Sequence, residues 1–114
     1  MRKLTSEVLM GHEVSELGRF SDPALFVLVS LAGGEKHGYA MMEDIERTCG
    51  TRLGPGTLYG AVARLEKRGL VEALSYGERR RPYRLTAVGA LALEDRLRDL
   101  EGLARAGLGR LSTA

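Results

Sequence analysis

A chain of 114 residues has room for one domain and an extra helix, and 44% hydrophobic with 28% charged residues is the balance of an ordinary globular fold. Its single cysteine excludes an internal disulfide and a zinc site built on cysteine pairs, and the absence of tryptophan excludes an indole-lined cage. The net charge of +2 says little, but six Lys/Arg face eight Asp/Glu in residues 1–60, seven face three in 61–85, and four face four in 86–114. The positive charge is therefore local, as a phosphate-contacting surface requires. No apolar run approaches the ~20 residues of a membrane span. The opening MRKLTSEVLMG lacks the sustained apolar core of a signal peptide, so a reducing cytoplasm is the expected compartment, with no membrane partner.

Residues 1–20 place Leu4, Val8, Val14 and Leu17 on one helical face, interrupted by Gly11 and Gly18. The expectation is an extension of one or two helical turns that packs across a partner subunit, with disorder as the plain alternative. Ser21-Asp22-Pro23 then starts a helix, Asp22 as N-cap and Pro23 at the first helical position. The following ALFVLVSLA is apolar on nearly every side, which predicts a helix buried all round until Gly33-Gly34 ends it. His37-Gly38-Tyr39 opens the next helix. Gly38, Met42, Ile45 and Cys49 recur at one-turn spacing, leaving Glu43, Asp44, Glu46 and Arg47 for the outer faces. Gly50 stops it, and Thr51-Arg52-Leu53 makes a brief extended link.

The stretch from Gly54 to Leu85 organises the chain. Pro55 suits the first turn of a helix whose Leu58, Val62 and Leu65 form a narrow apolar stripe. Roughly opposite stand Thr57, Gly60, Arg64, Lys67 and Arg68, a polar and basic face, and Gly69 closes the helix. Leu70 to Tyr76 and Pro82 to Leu85 then bracket a turn that ends in Arg79-Arg80-Arg81. Val71, Ala73 and Ser75 alternate with Glu72, Leu74 and Tyr76, while Tyr83 and Leu85 share a face across the turn. Pro82 cannot donate to a ladder, so its strand is an edge or the ladder opens there. Thr86 is the expected N-cap of a last helix, about Ala87 to Arg110. In it Leu93, Leu97, Leu100, Ala104, Leu108 and Leu111 step by fours and threes in a coiled-coil-like seam. A small core cannot cover so long a stripe, which predicts a homodimer.

A helix that buries one face and offers cations on the other, beside a basic hairpin, suits a DNA groove and its flanking phosphates. Arg64 is the candidate for bidentate contact with guanine, and Gly60 would let the helix approach closely. Tyr59 lies on a third face, where its hydroxyl could reach a phosphate while its ring stays buried. The plainer alternatives are a core tyrosine and a solvated arginine. Arg79, Arg80 and Arg81 are candidate phosphate or minor-groove contacts, against the alternative of a solvated turn. His12, His37 and Cys49 are scattered singly and make no metal-ligand pair, and Met41 and Met42 read as core filling. Ser30, Ser75 and Ser112 have no histidine near them in sequence, so no catalytic residue, cofactor or metal is expected.

The motifs HGYAMMEDIE, LGPGTLYGAVARLEKRGLVE and RRRPYRLTAVG together resemble the PadR family of prokaryotic winged-helix transcription regulators, in its small single-domain form, from about Ser21 to Leu93. The resemblance implies DNA contact at Thr57 and Tyr59. With the basic face it defines a candidate DNA-binding set: Tyr39, Pro55, Gly56, Thr57, Tyr59, Gly60, Arg64, Lys67, Arg68, Arg79, Arg80 and Arg81. The expected fold is mainly α with a small β-hairpin (α+β), a winged helix-turn-helix over residues 21–86 followed by a dimerisation helix over 87–114. The expected function is sequence-specific binding of double-stranded DNA, as a repressor on an inverted-repeat operator. The resemblance further implies release by a small, commonly aromatic, effector near the dimer interface. Without tryptophan a flat ligand cannot lie between indoles here, but apolar residues of the first and last helices could line a cavity. The rivals are a winged-helix module that binds an acidic protein and a non-specific architectural DNA binder.

Overall fold

The computed structural model describes residues 22–75 and 81–113. The expected N-terminal extension and the arginines Arg79 and Arg80 lie outside the described residues.

Helix α1 (Pro23–Ala32) starts where its cap demands: the Asp22 carboxylate accepts the Leu25 N–H at 3.1 Å, with Pro23 in the first turn. Helix α2 (Gly38–Cys49) stops on Gly50, whose φ of 73° only glycine adopts freely, and the Gly50 N–H returns to the Glu46 carbonyl. Helix α3 (Pro55–Lys67) follows, and Gly69 at φ 75° turns the chain into strand β1 (Val71–Ala73). Strand β2 (Tyr83–Leu85) pairs antiparallel with β1, Val71 opposite Leu85 and Ala73 opposite Tyr83. Helix α4 (Ala87–Thr113) completes the order, three residues longer than the spacing predicted.

The core is a single cluster with α1 at its centre. Leu25, Phe26, Val27, Leu28 and Leu31 are buried, and the helix packs on α2, α3, β2 and α4. Met41, Met42 and Ile45 reach it from α2, Leu58, Ala61, Val62 and Leu65 from α3, Val71 from β1 and Leu93 from α4. Each of these side chains larger than alanine stabilises the fold by about 1.5–3 kcal/mol. This arrangement, with the hairpin beside α3, is a winged helix-turn-helix.

Four local expectations need correction. The paired strands are shorter than Leu70–Tyr76 and Pro82–Leu85 suggested. Pro82 accepts the Leu74 N–H at 2.8 Å but cannot return a bond, so the ladder opens there. The sheet has two strands, so β2 is an edge, covered at one residue: Tyr83 exchanges both backbone bonds with Lys36, at 2.8 and 3.1 Å, in an isolated bridge. A single residue has no period, so no alternation could reveal it.

Second, Asp44 is half-buried and turns toward α1, away from a purely outer face. It accepts the Ser30 hydroxyl at 2.7 Å, and Lys36 Nζ reaches the Ser30 carbonyl at 2.6 Å. Ser30, the one buried polar residue of the described core, thereby has its partner. The Ser30 hydrogen bond holds the Asp44 carboxyl below its ordinary 3.8; Lys36, Thr48 and Arg47 act the same way, and desolvation opposes them. Third, Cys49 is only half-buried at the rim of the core, where desolvation pushes its thiol pKa up. The fourth is Tyr59, whose ring is not buried: the residue is 45% exposed.

Helix α4 is anchored at its first turn. Thr86 caps it, its hydroxyl accepting the Gly89 N–H at 2.9 Å and donating to the Gly69 carbonyl at 2.7 Å, while its own N–H bonds the Leu70 carbonyl. A Cβ on Gly89 would lie 2.0 Å from the Leu70 carbonyl oxygen, so only glycine permits this approach. Leu93 and Leu100 then pack on the core, and Leu97 is partly exposed. From Glu101 to Thr113 every residue is exposed, Ala104, Leu108 and Leu111 of the seam among them.

These contacts set two expectations. Gly89→Ala should destabilise the fold by about 1–3 kcal/mol through overpacking against backbone, whereas Gly102→Ala, where an added Cβ meets nothing, should stabilise it by up to about 1 kcal/mol; urea unfolding of both variants checks this. Ser30→Ala should cost about 1 kcal/mol at neutral pH. A carboxylate whose folded pKa is depressed adds stability above its unfolded pKa and loses it as pH falls through the folded value. The difference between wild type and Ser30→Ala should therefore shrink below pH 3.8, as a stability-against-pH series would show.

Candidate nucleic-acid interface

The link at residues 51–54 is short and pinned by the buried Leu53, which fixes α3 relative to α2. With Leu58, Ala61, Val62 and Leu65 turned inward, the opposite side of α3 is set by helical period alone. Pro55, Gly56, Thr57, Arg64, Lys67 and Arg68 are exposed, and Gly60 is half-exposed. The outermost line runs Gly56, Gly60, Ala63, Lys67 in steps of four, three and four. Ala63 was not among the sequence candidates, because a lone alanine carries no signal.

The glycines on this line are not there for backbone reasons. Among the described residues only Gly34, Gly50 and Gly69 have positive φ. A Cβ on Gly56 would meet nothing within 4 Å, and one on Gly60 would meet only Arg64 Nη1 at an ordinary 3.6 Å. Glycine inside a helix costs about 1 kcal/mol relative to alanine. Two such positions therefore leave a smooth surface that the protomer itself does not use.

The cations sort by partner. Arg52 pairs with Glu46 at 2.7 Å, Arg84 with Glu72 at 2.5 Å across the hairpin, and Arg47 with Asp44 at 3.1 Å. Arg64, Lys67, Arg68 and the exposed Arg81 have no carboxylate partner among the described residues. The positive block seen in the sequence is thus narrowed: Arg84 is neutralised, while the cations of α3 and the root of the wing are left to solvent.

Helix starts divide in the same way. Helices α1 and α4 are capped by the side chains of Asp22 and Thr86, but α2 after His37 and α3 after Gly54 have no side-chain cap. Their first N–H groups stay open, with the positive end of each helix dipole. Tyr39 stands exposed in the first turn of α2, and the Tyr59 phenol lies over Gly38 in that same turn. The Tyr83 phenol is pushed up chiefly by burial, then by Glu66 and Tyr59 of α3, with Arg81 opposing. Tyr59 thus joins α3 to the first turn of α2 that carries Tyr39, and β1 of the hairpin packs on α3.

A second feature lies along α4. Ala32, Leu85, Ala90, Leu93 and Leu97 floor a groove of about 590 Å³ whose rim carries Glu94, Arg98 and Glu101. Arg98 and Glu94, one turn apart on α4, pair at 2.9 Å. Helix α1 contributes only its last residue, Ala32, to the lining; the rest comes from β2 and α4. No group of His, Cys, Asp and Glu able to hold a metal occurs among the described residues, and no helix among them is long and apolar enough to cross a membrane.

Comparison with known proteins gives this surface its context. Transcriptional regulator Rv3488 of Mycobacterium tuberculosis is 41% identical over 88 residues, which cover 75% of this chain and 81% of that protein. An uncharacterized 37.1 kDa protein in transposon TN4556 of Streptomyces fradiae is 47% identical over 87 residues, 76% of this chain but only 24% of that longer protein. A transcriptional regulator from Clostridium thermocellum superposes with a TM-score of 0.66 at 28% identity, covering 74% of this chain and 84% of its own. A PadR family transcription regulator from Clostridium difficile R20291 shares the fold at the same TM-score and 24% identity, over 74% of this chain and 92% of its own. The model of the transcriptional regulator PadR-like family matches residues 27–95, which span the whole helix-turn-helix, the hairpin and the anchored start of α4, and the chain belongs to that family.

Proposed function

We propose that this chain is a sequence-specific DNA-binding transcriptional regulator, a repressor that acts as a homodimer on an inverted-repeat operator. The observation that carries the reading is the outer face of α3: two glycines with ordinary φ, where an added Cβ would meet nothing at Gly56 and only Arg64 Nη1 at Gly60, flanked by cations with no carboxylate partner among the described residues. A helix pressed into a major groove needs that smoothness, and phosphates on either side supply the missing anions. Open helix N-termini at α2 and α3 add backbone N–H donors for phosphate oxygens.

In this reading Thr57, Gly60 and Arg64 meet the bases, with Pro55 and Gly56 bringing the helix start close. Tyr39, Tyr59, Lys67 and Arg68 hold the backbone, and Arg79, Arg80 and Arg81 follow the phosphates or the minor groove. Residues 21–86 form the DNA-binding unit. Residues 87–114 join two copies through the part of the seam left exposed, Leu97, Ala104, Leu108 and Leu111. Residues 1–20 contribute to that packing. The half-sites of the operator would then lie about 34–36 Å apart. A small apolar or aromatic effector would occupy the groove between α1 and α4, next to the dimer seam, and favour the form that leaves DNA.

Binding to a duplex selected from a random pool, compared with its scrambled version at matched physiological salt, tests the reading. A ratio near one removes it in favour of an architectural binder, and no binding to either duplex favours a protein-interaction module. Arg64→Ala should cost about 1–3 kcal/mol on the selected duplex and relax preference at one base position, measured by titration against single-base variants. Arg80→Ala should instead weaken binding to all sequences alike and reduce the slope of log K against log salt by about 1.

A further inference from the structure

Gly38 is the buried first residue of α2, and its backbone makes no demand for glycine, since it is not among the positive-φ positions. It follows His37, whose side chain makes no cap bond. At the first position of a helix glycine gains nothing locally over alanine. The reason for it lies on the next helix. A Cβ at Gly38 would fall 2.0 Å from Tyr59 Oη, 2.4 Å from Cζ and 2.8 Å from Cε1. The end of the phenol occupies the space that any other residue's side chain would need.

We infer that Gly38 is a positioning residue for DNA binding: its missing side chain is the seat that holds the Tyr59 phenol against the first turn of α2. Tyr59 is 45% exposed and would otherwise choose among rotamers in water. Seated, its hydroxyl is held beside the uncapped N–H groups of α2, so that one phosphate oxygen can meet the phenol and the helix start together. The same contact ties α2 to α3 on the outer side of the turn, whereas Leu53 and the core tie them on the inner side. The inference rests on the DNA-binding reading above. It adds a residue that would touch no DNA itself.

A double-mutant cycle on the full chain tests it, read as affinity at fixed salt for a duplex selected from a random pool by the wild-type protein, with melting temperature in parallel. Gly38→Ala should weaken binding about tenfold or more, the loss of one hydrogen bond to a charged group. Its melting temperature should move little, because the colliding atoms are the far end of a side chain that can swing into solvent. In a Tyr59→Ala background the same substitution should change affinity by less than about twofold. Equal losses in the two backgrounds, or wild-type affinity in Gly38→Ala, overturn the inference while leaving the DNA-binding reading intact. A wild-type protein that enriches nothing from the pool overturns both.

A spectroscopic signature keeps the seat testable without DNA. The Gly38 α-protons lie against the hydroxyl end of the phenol, so they should show a cross-relaxation peak to the Tyr59 ε-protons in wild type. Absence of that peak in the wild type overturns the inference, whatever the stability of the variants.

Discussion

The burial of α1 is the constraint on which the other contacts depend. Its apolar residues occur on nearly every side, so no single partner can cover them, and α2, α3, β2 and α4 must all converge on it. Once those elements are fixed around one axis, little freedom remains for their outer faces. The side of α3 that meets solvent is whatever Leu58, Ala61, Val62 and Leu65 leave over. A central apolar helix thus decides where the cations of a different helix point.

Polar contacts refine what burial arranges. Ser30 would be an orphaned hydroxyl inside the core, and Asp44 answers it from α2. Lys36 binds the end of α1 through its ammonium and β2 through its backbone, so one residue joins the central helix to the wing. Thr86 does the corresponding work for α4, closing its first turn and holding the Gly69–Leu70 corner. These bonds are each modest, about 1 kcal/mol, but they sit at the junctions between elements, where a small displacement would re-aim the whole surface.

The α4 helix shows the limit of what one protomer stabilises. Its first half belongs to the core through Gly89, Leu93 and Leu100; its second half touches nothing among the described residues and carries Gly102, Gly107 and Gly109 in open space. A solvated helix of that composition gains little by itself. In the proposed function a second copy of the chain covers the exposed leucines there.

The sequence by itself determined the order and type of the elements, the two side-chain caps at Asp22 and Thr86, the closing glycines Gly50 and Gly69, and the inward stripe of α3. All of these rest on local chemistry or on a short period, which neighbouring residues suffice to specify. It also marked the basic block and the family motifs, though not which cations keep their charge free. Folding alone reveals that Asp44 turns inward to Ser30, that Arg84 is spent on Glu72, that Lys36 bridges to Tyr83, and that the Tyr59 phenol fills the place of a side chain at Gly38. Each of those pairs residues distant in the chain, and a contact between distant residues leaves no periodic trace; it exists only once the core has brought them together.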